Sequence, residues 1–231
     1  MKEKIYTIQI NEAMEKESEC SLCSIEKDME AAALGYFLGP AMMEPDVRIH
    51  TNERGFCSVH TDKMFEGKNV LPMALMLQSR VDSVIKRLEG KNITKKKKLF
   101  KKEYDDNLGE NLKKAMGGCA VCERVESQMT RCIQNFAYML LSDDEFKEKF
   151  LSSKGLCLKH FAMLLSCLKD EGAKDTLLSD ITKLEMDNMK RLSGEISYFV
   201  SKFDYRNKDA AWNGTEDSPK RLSTKLSGGE R

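Results

Sequence analysis

Hydrophobic residues recur along the chain at spacings of three and four, which is the period of an amphipathic α-helix. One such stripe follows Cys23, and a second stripe with the same spacing follows Cys122. Two longer stripes cover residues 70–88 and 177–203. This pattern predicts an all-α protein in which each helix turns one apolar face towards a core.

Glycine and proline divide the predicted helices. Gly39 and Pro40 end one of them, and a long loop is predicted over residues 41–54. At the corresponding place in the second half, Ser142 and Glu145 form a capping-box pattern, which predicts a helix instead. The two halves therefore share one plan but differ in this segment.

This shared plan predicts two tandem, duplicated helical units. We assign residues 1–90 to the first unit, 91–104 to a lysine-rich linker and 105–204 to the second unit. A polar tail follows at 205–231. We expect this tail to be partly disordered, with Trp212 holding part of it in place.

Composition limits the functional classes to which the chain can belong. The 231 residues carry a formal net charge of +1, which argues against a nucleic-acid-binding protein. No apolar run approaches the roughly 18–20 residues that a membrane span requires, and no apolar signal segment is visible. We therefore expect a cytoplasmic protein with no membrane partner. In a reducing compartment, its eight cysteines are more typical of metal ligands or buried thiols than of disulfides.

Most of these cysteines fall into paired motifs. Each half contains a Cys-x-x-Cys pair and, a little over thirty residues later, a Cys-x-x-His pair. Zinc takes four thiolate or imidazole ligands in a tetrahedron, so two such pairs complete one Cys₃His site. The predicted metal ligands are Cys20, Cys23, Cys57, His60, Cys119, Cys122, Cys157 and His160. Cys132 and Cys167 lie in apolar stripes, and we interpret them as buried thiols.

The four pairs can combine in more than one way. A cross-braced arrangement would join the first pair to the third and the second pair to the fourth. Duplication favours a different arrangement, in which each copy holds its own ion, so we expect two Zn²⁺ per chain, one in each repeat. An iron–sulfur cluster is the less favoured alternative, because such clusters usually take four cysteines.

A charged segment in the predicted loop is a second candidate site. Glu44, Asp46 and Arg48, with His50 beside them, could bind a ligand or a partner. The simpler interpretation, which we favour, is a solvated loop whose charges pair locally. No phosphate-binding loop, nucleophile elbow or zinc-protease motif accompanies them, so no catalytic residue is assigned.

Four segments, at residues 39–49, 55–60, 153–160 and 202–207, carry a more specific likeness. Through them the chain resembles a family of uncharacterised proteins from anaerobic, low-GC Gram-positive bacteria, classed as a domain of unknown function. The resemblance spans nearly the whole chain. It implies a bacterial cytosolic protein with the paired Cys/His sets, and it carries over no activity, substrate or catalytic residue.

Three functional hypotheses follow from the sequence. The first is a non-enzymatic scaffold, stabilised by structural zinc, that binds a protein or a small ligand. The second is a thiol redox sensor that releases zinc on oxidation, with disulfides between Cys20 and Cys23 and between Cys119 and Cys122. The third is an enzyme with a pocket at the loop of residues 40–50. We favour the scaffold, because a closed Cys₃His shell leaves no open position for catalysis.

Overall fold

The computed structural model describes residues 4–67, 70–91, 93–97, 102–207 and 209–229. Over these ranges the chain forms eleven α-helices, two 3₁₀ turns and one two-stranded hairpin. The predicted all-α class is therefore confirmed. The first five helices are α1 (Lys4–Glu15), α2 (Ser21–Leu38), α3 (Pro45–Arg54), α4 (Ser58–Phe65) and α5 (Leu71–Leu88). The others are α6 (Asn107–Met116), α7 (Ala120–Ser142), α8 (Asp144–Leu151), α9 (Leu158–Asp170), α10 (Asp175–Ser201) and α11 (Ser218–Ser227).

The prediction of a long loop over residues 41–54 was wrong. This segment contains a 3₁₀ turn, Pro40–Met43, followed by helix α3. Pro45 occupies the first turn of α3, where a proline needs no hydrogen-bond donor and its fixed φ suits a helix. Gly55 ends α3 with a φ of 66°, a conformation that glycine adopts without strain. Both halves therefore carry a helix between their ligand pairs.

The helix predicted in the second half is confirmed as α8, but its cap lies one residue later than expected. Ser142 is the last residue of α7, and Asp143 is the N-cap of α8. An Asp143 carboxylate oxygen accepts a hydrogen bond from the backbone N–H of Phe146 at 3.0 Å. Asp and Ser are equally good N-cap residues, so the sequence offered two adjacent candidates.

Part of the predicted lysine-rich linker is a β-hairpin. Strand β1 (Ile93–Lys97) pairs antiparallel with β2 (Lys102–Asp106), with Ile93 opposite Asp106. Residues 92 and 98–101 of the linker lie outside the described residues. The lysine content suggested a solvated chain, but the β-branched residues at the start of β1 favour extended backbone.

The chain folds into two compact units. Their boundaries differ from those predicted at residues 90 and 105. Unit 1 contains residues 1–28 and 128–231, and unit 2 contains residues 29–127. The boundaries fall within the helices α2 and α7 rather than in the lysine-rich segment. Unit 1 is therefore assembled from the two ends of the chain, whereas unit 2 is a single continuous segment.

Each unit has its own aromatic and aliphatic core. In unit 1, the ring of Phe136 meets the rings of Phe146 and Phe150 edge to face, with centroids 5.1 Å and 5.2 Å apart. Cys132 is fully buried in this unit, as predicted for a thiol in an apolar stripe. In unit 2, Phe37 and Phe56 make a similar edge contact at 5.8 Å. The methionines Met64, Met73 and Met76 are also buried in unit 2.

The prediction of a partly disordered tail is corrected by helix α11. Its Lys225 is fully buried, and Lys225 Nζ lies 2.8 Å from Glu185 Oε2 on α10. The same ammonium donates a hydrogen bond to the carbonyl of Lys154 at 2.6 Å. The expected anchoring by Trp212 is confirmed, since its ring packs on Phe199 with centroids 5.6 Å apart. A polar sequence therefore docks here through buried charge pairing rather than through an apolar stripe.

We expect Lys225→Met to destabilise unit 1 strongly, because it leaves the Glu185 carboxylate buried without its partner. Breaking one side of a buried ion pair costs about 3 kcal/mol or more. The free energy of unfolding from a denaturant titration measures this loss. Lys190→Met, at an exposed position on α10, is the matched control and should change stability by less than about 0.5 kcal/mol. Equal effects of the two changes would show that the buried pair contributes nothing.

Candidate metal centres

Four donor atoms meet in unit 1 at what we call site 1: Cys20, Cys23, Cys157 and His160. All four side chains are buried, and their donor atoms lie within 4.8 Å of one another. His160 Nδ1 is 3.4, 3.6 and 3.3 Å from the sulfurs of Cys20, Cys23 and Cys157, respectively. The sulfurs of Cys23 and Cys157 are 3.6 Å apart.

Unit 2 holds an equivalent cluster, site 2: Cys57, His60, Cys119 and Cys122. His60 Nδ1 is 3.2 Å from the sulfur of Cys57 and 3.3 Å from each of the other two sulfurs. The sulfurs of Cys57 and Cys122 are 4.0 Å apart. The two sites thus use the same donor set and the same imidazole nitrogen.

These distances fit a tetrahedral ion. Zinc–sulfur bonds of about 2.3 Å and zinc–nitrogen bonds of about 2.0 Å imply edges of about 3.8 Å between sulfurs and about 3.5 Å between sulfur and nitrogen. The sulfur–nitrogen separations in the two sites run from 3.2 to 3.6 Å, and the two sulfur–sulfur separations are 3.6 and 4.0 Å. Each cluster therefore has the size and donor chemistry of a four-coordinate Cys₃His metal site.

The predicted pairing of the ligands is corrected by this geometry. Site 1 joins the first Cys-x-x-Cys pair to the last Cys-x-x-His pair, and site 2 joins the two middle pairs. This is neither one site in each sequential half nor the first-to-third arrangement considered as the alternative. The cause is the fold, because each unit takes one ligand pair from each copy of the sequence motif.

Every ligand pair lies at the N-terminus of a helix. Cys57 and Cys157 are the N-caps of α4 and α9, both with extended backbone, and each histidine lies in the first turn that follows. Cys20 and Cys119 directly precede α2 and α7 in the same way. The free N–H groups and positive dipole end of a helix stabilise a thiolate. Each site is therefore built where two such ends meet.

Electrostatics at site 2 favour a thiolate at Cys119, whereas burial and the neighbouring Cys119 raise the pKa of Cys122 to about 12. Burial raises the pKa of Cys119, but hydrogen bonds from the backbone N–H groups of Cys122 and Cys57 and from His60 outweigh it. These contacts bring the pKa of Cys119 down to about 7. Metal ligation requires deprotonated cysteine. Because these contacts lower the pKa of Cys119, deprotonating it on metal binding requires less free energy.

Two glutamates that the sequence analysis did not identify contact the far side of the histidines. Glu30 Oε1 is 2.8 Å from His60 Nε2, and Glu26 Oε2 is 3.4 Å from His160 Nε2. A carboxylate at this position fixes the ring orientation and makes the ligating nitrogen more basic. The two glutamates are one helical turn apart on α2, and that spacing after Cys23 was the only sequence signal available.

The charges around these glutamates keep both ionised. The His160 imidazole lowers the pKa of Glu26 to about 2, with Lys159 contributing against the effect of burial. Burial also raises the pKa of Glu30, but Lys63 and His60 outweigh it and the net pKa is lowered. Lys63 Nζ is 2.5 Å from Glu30 Oε2. At each site, one glutamate thus contacts both the histidine of the cluster and a nearby lysine.

The two sites differ in their exposure to solvent. All four ligands of site 1 are buried, and the backbone N–H of Gly229 donates a hydrogen bond to the sulfur of Cys23 at 3.2 Å. At site 2, Cys57 is only half-buried and Cys122 is exposed. Site 1 is therefore enclosed by the C-terminal segment, whereas site 2 has one thiolate open to solvent.

The loop before Cys157 is supported by a buried carboxylate. Gly155 has a φ of 71°, and a Cβ added to it would collide with the carboxylate of Glu185. Glu185 Oε1 accepts a hydrogen bond from the backbone N–H of Leu156 at 2.5 Å. Burial raises the pKa of Glu185, although Lys225 acts in the opposite direction. The contact between Glu185 and Lys225 therefore also positions a ligand of site 1.

The other predicted site residues do not join either cluster. Glu44 and Asp46 are exposed at the start of α3, and Arg48 is half-buried on the same helix. His50 Nε2 lies 3.7 Å from Glu123 Oε2, and neither residue belongs to a donor cluster. The interpretation of Cys167 as a buried thiol is only partly met, because it is half-buried and lines a cavity.

Comparisons with known proteins give a family but no activity. A model described as a family of unknown function (DUF6062) matches residues 1–231. No curated protein matches the chain, and no solved structure does. Among the described residues, no helix is both long enough and apolar enough to cross a membrane.

Double variants test the ligand pairing. The combination Cys20→Ser with Cys157→Ser removes two ligands of site 1, so the protein should still bind about one zinc per chain. The combination Cys20→Ser with Cys57→Ser damages both sites and should bind almost none. Metal analysis of the purified variants measures this difference. One site in each sequential half would give the reverse result for the two variants.

Proposed function

Since the chain belongs to a family of unknown function, DUF6062, we propose its function from its own geometry: it is a zinc-binding helical scaffold that presents a binding surface and catalyses no reaction. The observation that supports this proposal is the pair of closed Cys₃His donor sets. Each set supplies four ligands, which is the full coordination shell of a structural zinc. A catalytic zinc keeps one position for water or substrate.

The donor set also favours zinc over iron. One imidazole among three thiolates is a common shell for structural zinc, whereas iron–sulfur clusters usually take four cysteines. The donor separations suit one small ion, and a multi-iron cluster would need its ligands farther apart. Zinc would act here as a cross-link between helix ends rather than as a reactive centre.

Such cross-links would join segments that are distant in the sequence. Cys23 and Cys157 are 134 residues apart, and Cys57 and Cys122 are 65 residues apart. Without an ion, three cysteine sulfurs and an imidazole would be held together with only weak mutual attraction. The binding free energy of the metal thus contributes directly to the stability of each unit.

Metal content is the decisive measurement for this proposal. We expect purified protein to contain two zinc ions per chain and to be colourless. X-ray absorption should give three sulfur neighbours and one nitrogen neighbour per zinc. A high-affinity chelator should lower the melting temperature by more than about 10 °C, because binding free energy is lost from the folded state.

Protein that retains its melting temperature after complete zinc removal would contradict the structural role. A shell with fewer than four protein ligands, or with a bound water, would contradict the closed site and would favour catalysis instead.

A second candidate function, thiol redox sensing, is favoured by the exposure of Cys122 at site 2. Hydrogen peroxide could oxidise the zinc-bound thiolates of Cys119 and Cys122. One disulfide would form as the two sulfurs lose two electrons, the peroxide would be reduced to two water molecules with uptake of two protons, and the ion would leave. Site 1 lacks this access because all four of its ligands are buried.

Limited peroxide should therefore release one zinc per chain well before the second. A chromogenic zinc indicator follows the release, and mass spectrometry locates the disulfide, which we expect between Cys119 and Cys122. Cys132→Ser, at a buried thiol outside both sites, is the matched control and should leave the time course unchanged. Simultaneous release from both sites, or no release under conditions that oxidise free glutathione, would eliminate the sensor hypothesis.

A further inference from the structure

A positively charged cavity of about 350 Å³ lies in unit 1, away from the metal donors. Its lining includes three lysines from different parts of the chain: Lys27 on α2, Lys154 before site 1 and Lys220 on α11. Arg221 and the side chain of Thr224 lie beside them. Its volume is within the range of small-molecule binding sites, which begins at about 300 Å³.

The acidic groups of this cavity are largely occupied already. Glu19 is buried and is bound by Arg191 at 2.5 Å and by Arg221 at 3.4 Å. Asp217 accepts from Arg221 Nε at 2.8 Å. Arg221 is also 2.5 Å from Glu195, so its own charge is fully engaged. This network of two arginines and three carboxylates has one negative charge in excess, and it holds α11 against α10.

The three lysines differ from this network because they have no charge partner. Within the part of the chain that the structure describes, their ammonium groups make no ion pair or hydrogen bond. The exposed carboxylate of Glu17 is the one acidic group of the lining outside the arginine network. Over the whole lining, four cations face three carboxylates, so the cavity has one positive charge in excess.

A buried hydroxyl points to the same kind of ligand. A second cavity, of about 220 Å³, shares Glu17, Ser18 and Lys154 with the first and reaches the start of α2. Glu15 and Lys16 complete its charged lining, which has two carboxylates and two ammonium groups. Ser21 lines it there with only 6% of its surface exposed, and its hydroxyl has no hydrogen-bond partner among the described residues.

We propose that this pair of adjoining cavities binds a small phosphate-bearing molecule. The lysines would neutralise the phosphate, and the Ser21 hydroxyl would supply the hydrogen bond that it now lacks. The concave shape and the absence of aromatic side chains from the lining do not suit a nucleic-acid strand, which needs stacking surfaces and a longer charged track. The inference rests on the proposed scaffold role and specifies the ligand class.

Inorganic phosphate is the probe for this site. We would titrate it into the zinc-loaded full chain at constant ionic strength, with chloride as the balancing anion, and follow amide shifts by NMR. Saturable shifts should appear at residues of the two cavities, with a dissociation constant in the low millimolar range, or about −4 kcal/mol at 1 mM. Shifts that do not saturate, or that chloride reproduces, would overturn the proposal.

Two triple variants with the same change in charge sharpen the test. Lys27→Gln, Lys154→Gln and Lys220→Gln together should weaken phosphate binding at least tenfold. The control carries Lys169→Gln, Lys183→Gln and Lys190→Gln at exposed positions of α9 and α10, and it should bind phosphate as the parent does. Equal weakening of phosphate binding in the two triple variants would show that the effect comes from net charge alone. That result would overturn the proposal of a specific site.

Zinc content, measured on the same samples, separates this inference from the proposed function. A protein with two zinc ions per chain that fails to bind phosphate would contradict the anion site alone. A protein without zinc would contradict the scaffold itself. If the triple variant of the cavity loses zinc, Ser21→Ala and Lys154→Gln are tested singly, and each should weaken binding while retaining two zinc ions. Unchanged phosphate affinity in both single variants would also overturn the proposal.

Discussion

The convergence of four Cys and His donors between helix ends is the constraint around which each unit is arranged. Three cysteine sulfurs and one imidazole attract one another only weakly, and thiolates repel one another, so a bound cation would explain their convergence. The helices supply their N-terminal ends, which favour the negative charge of the thiolates. The described core of each unit is mostly aliphatic, and a metal cross-link at the donor cluster would add to its stability. The geometry of the sites and the packing of the units therefore depend on each other.

Support around the shells comes mostly from charged side chains. Glu26 and Glu30 orient the two histidines, and lysines hold the glutamates in turn. At site 1 the Glu185–Lys225 contact extends this support to the loop before Cys157 and to α11. Buried ion pairs contribute little net stability, but they fix one arrangement over others, because an unpaired partner is costly. The C-terminal helix is therefore specified by charge rather than by an apolar face.

The sequence predicted the fold class and the eight clustered residues well, because both follow from local spacing. A 3.6-residue period and a Cys-x-x-Cys spacing are properties of a single turn of backbone. The pairing of the motifs was not predictable in this way, since it depends on which helices share a unit. Pro45 was interpreted as a loop residue although it begins a helix, and α11 was missed because its anchoring residue is a lysine. The far-side glutamates became recognisable only once the histidines were placed.

The nested order of the ligands has a consequence for biosynthesis. Both ligand pairs of site 2 lie between the two pairs of site 1 along the chain. A chain that emerges from the ribosome from its N-terminus exposes Cys20 and Cys23 first, but it can complete site 2 as soon as Cys122 appears. Site 1 must wait for His160, and its cover must wait for Gly229. The early Cys20–Cys23 pair thus lacks its two partner ligands while residues 24–160 are made, so a wrong ion would have its longest opportunity at the outer site.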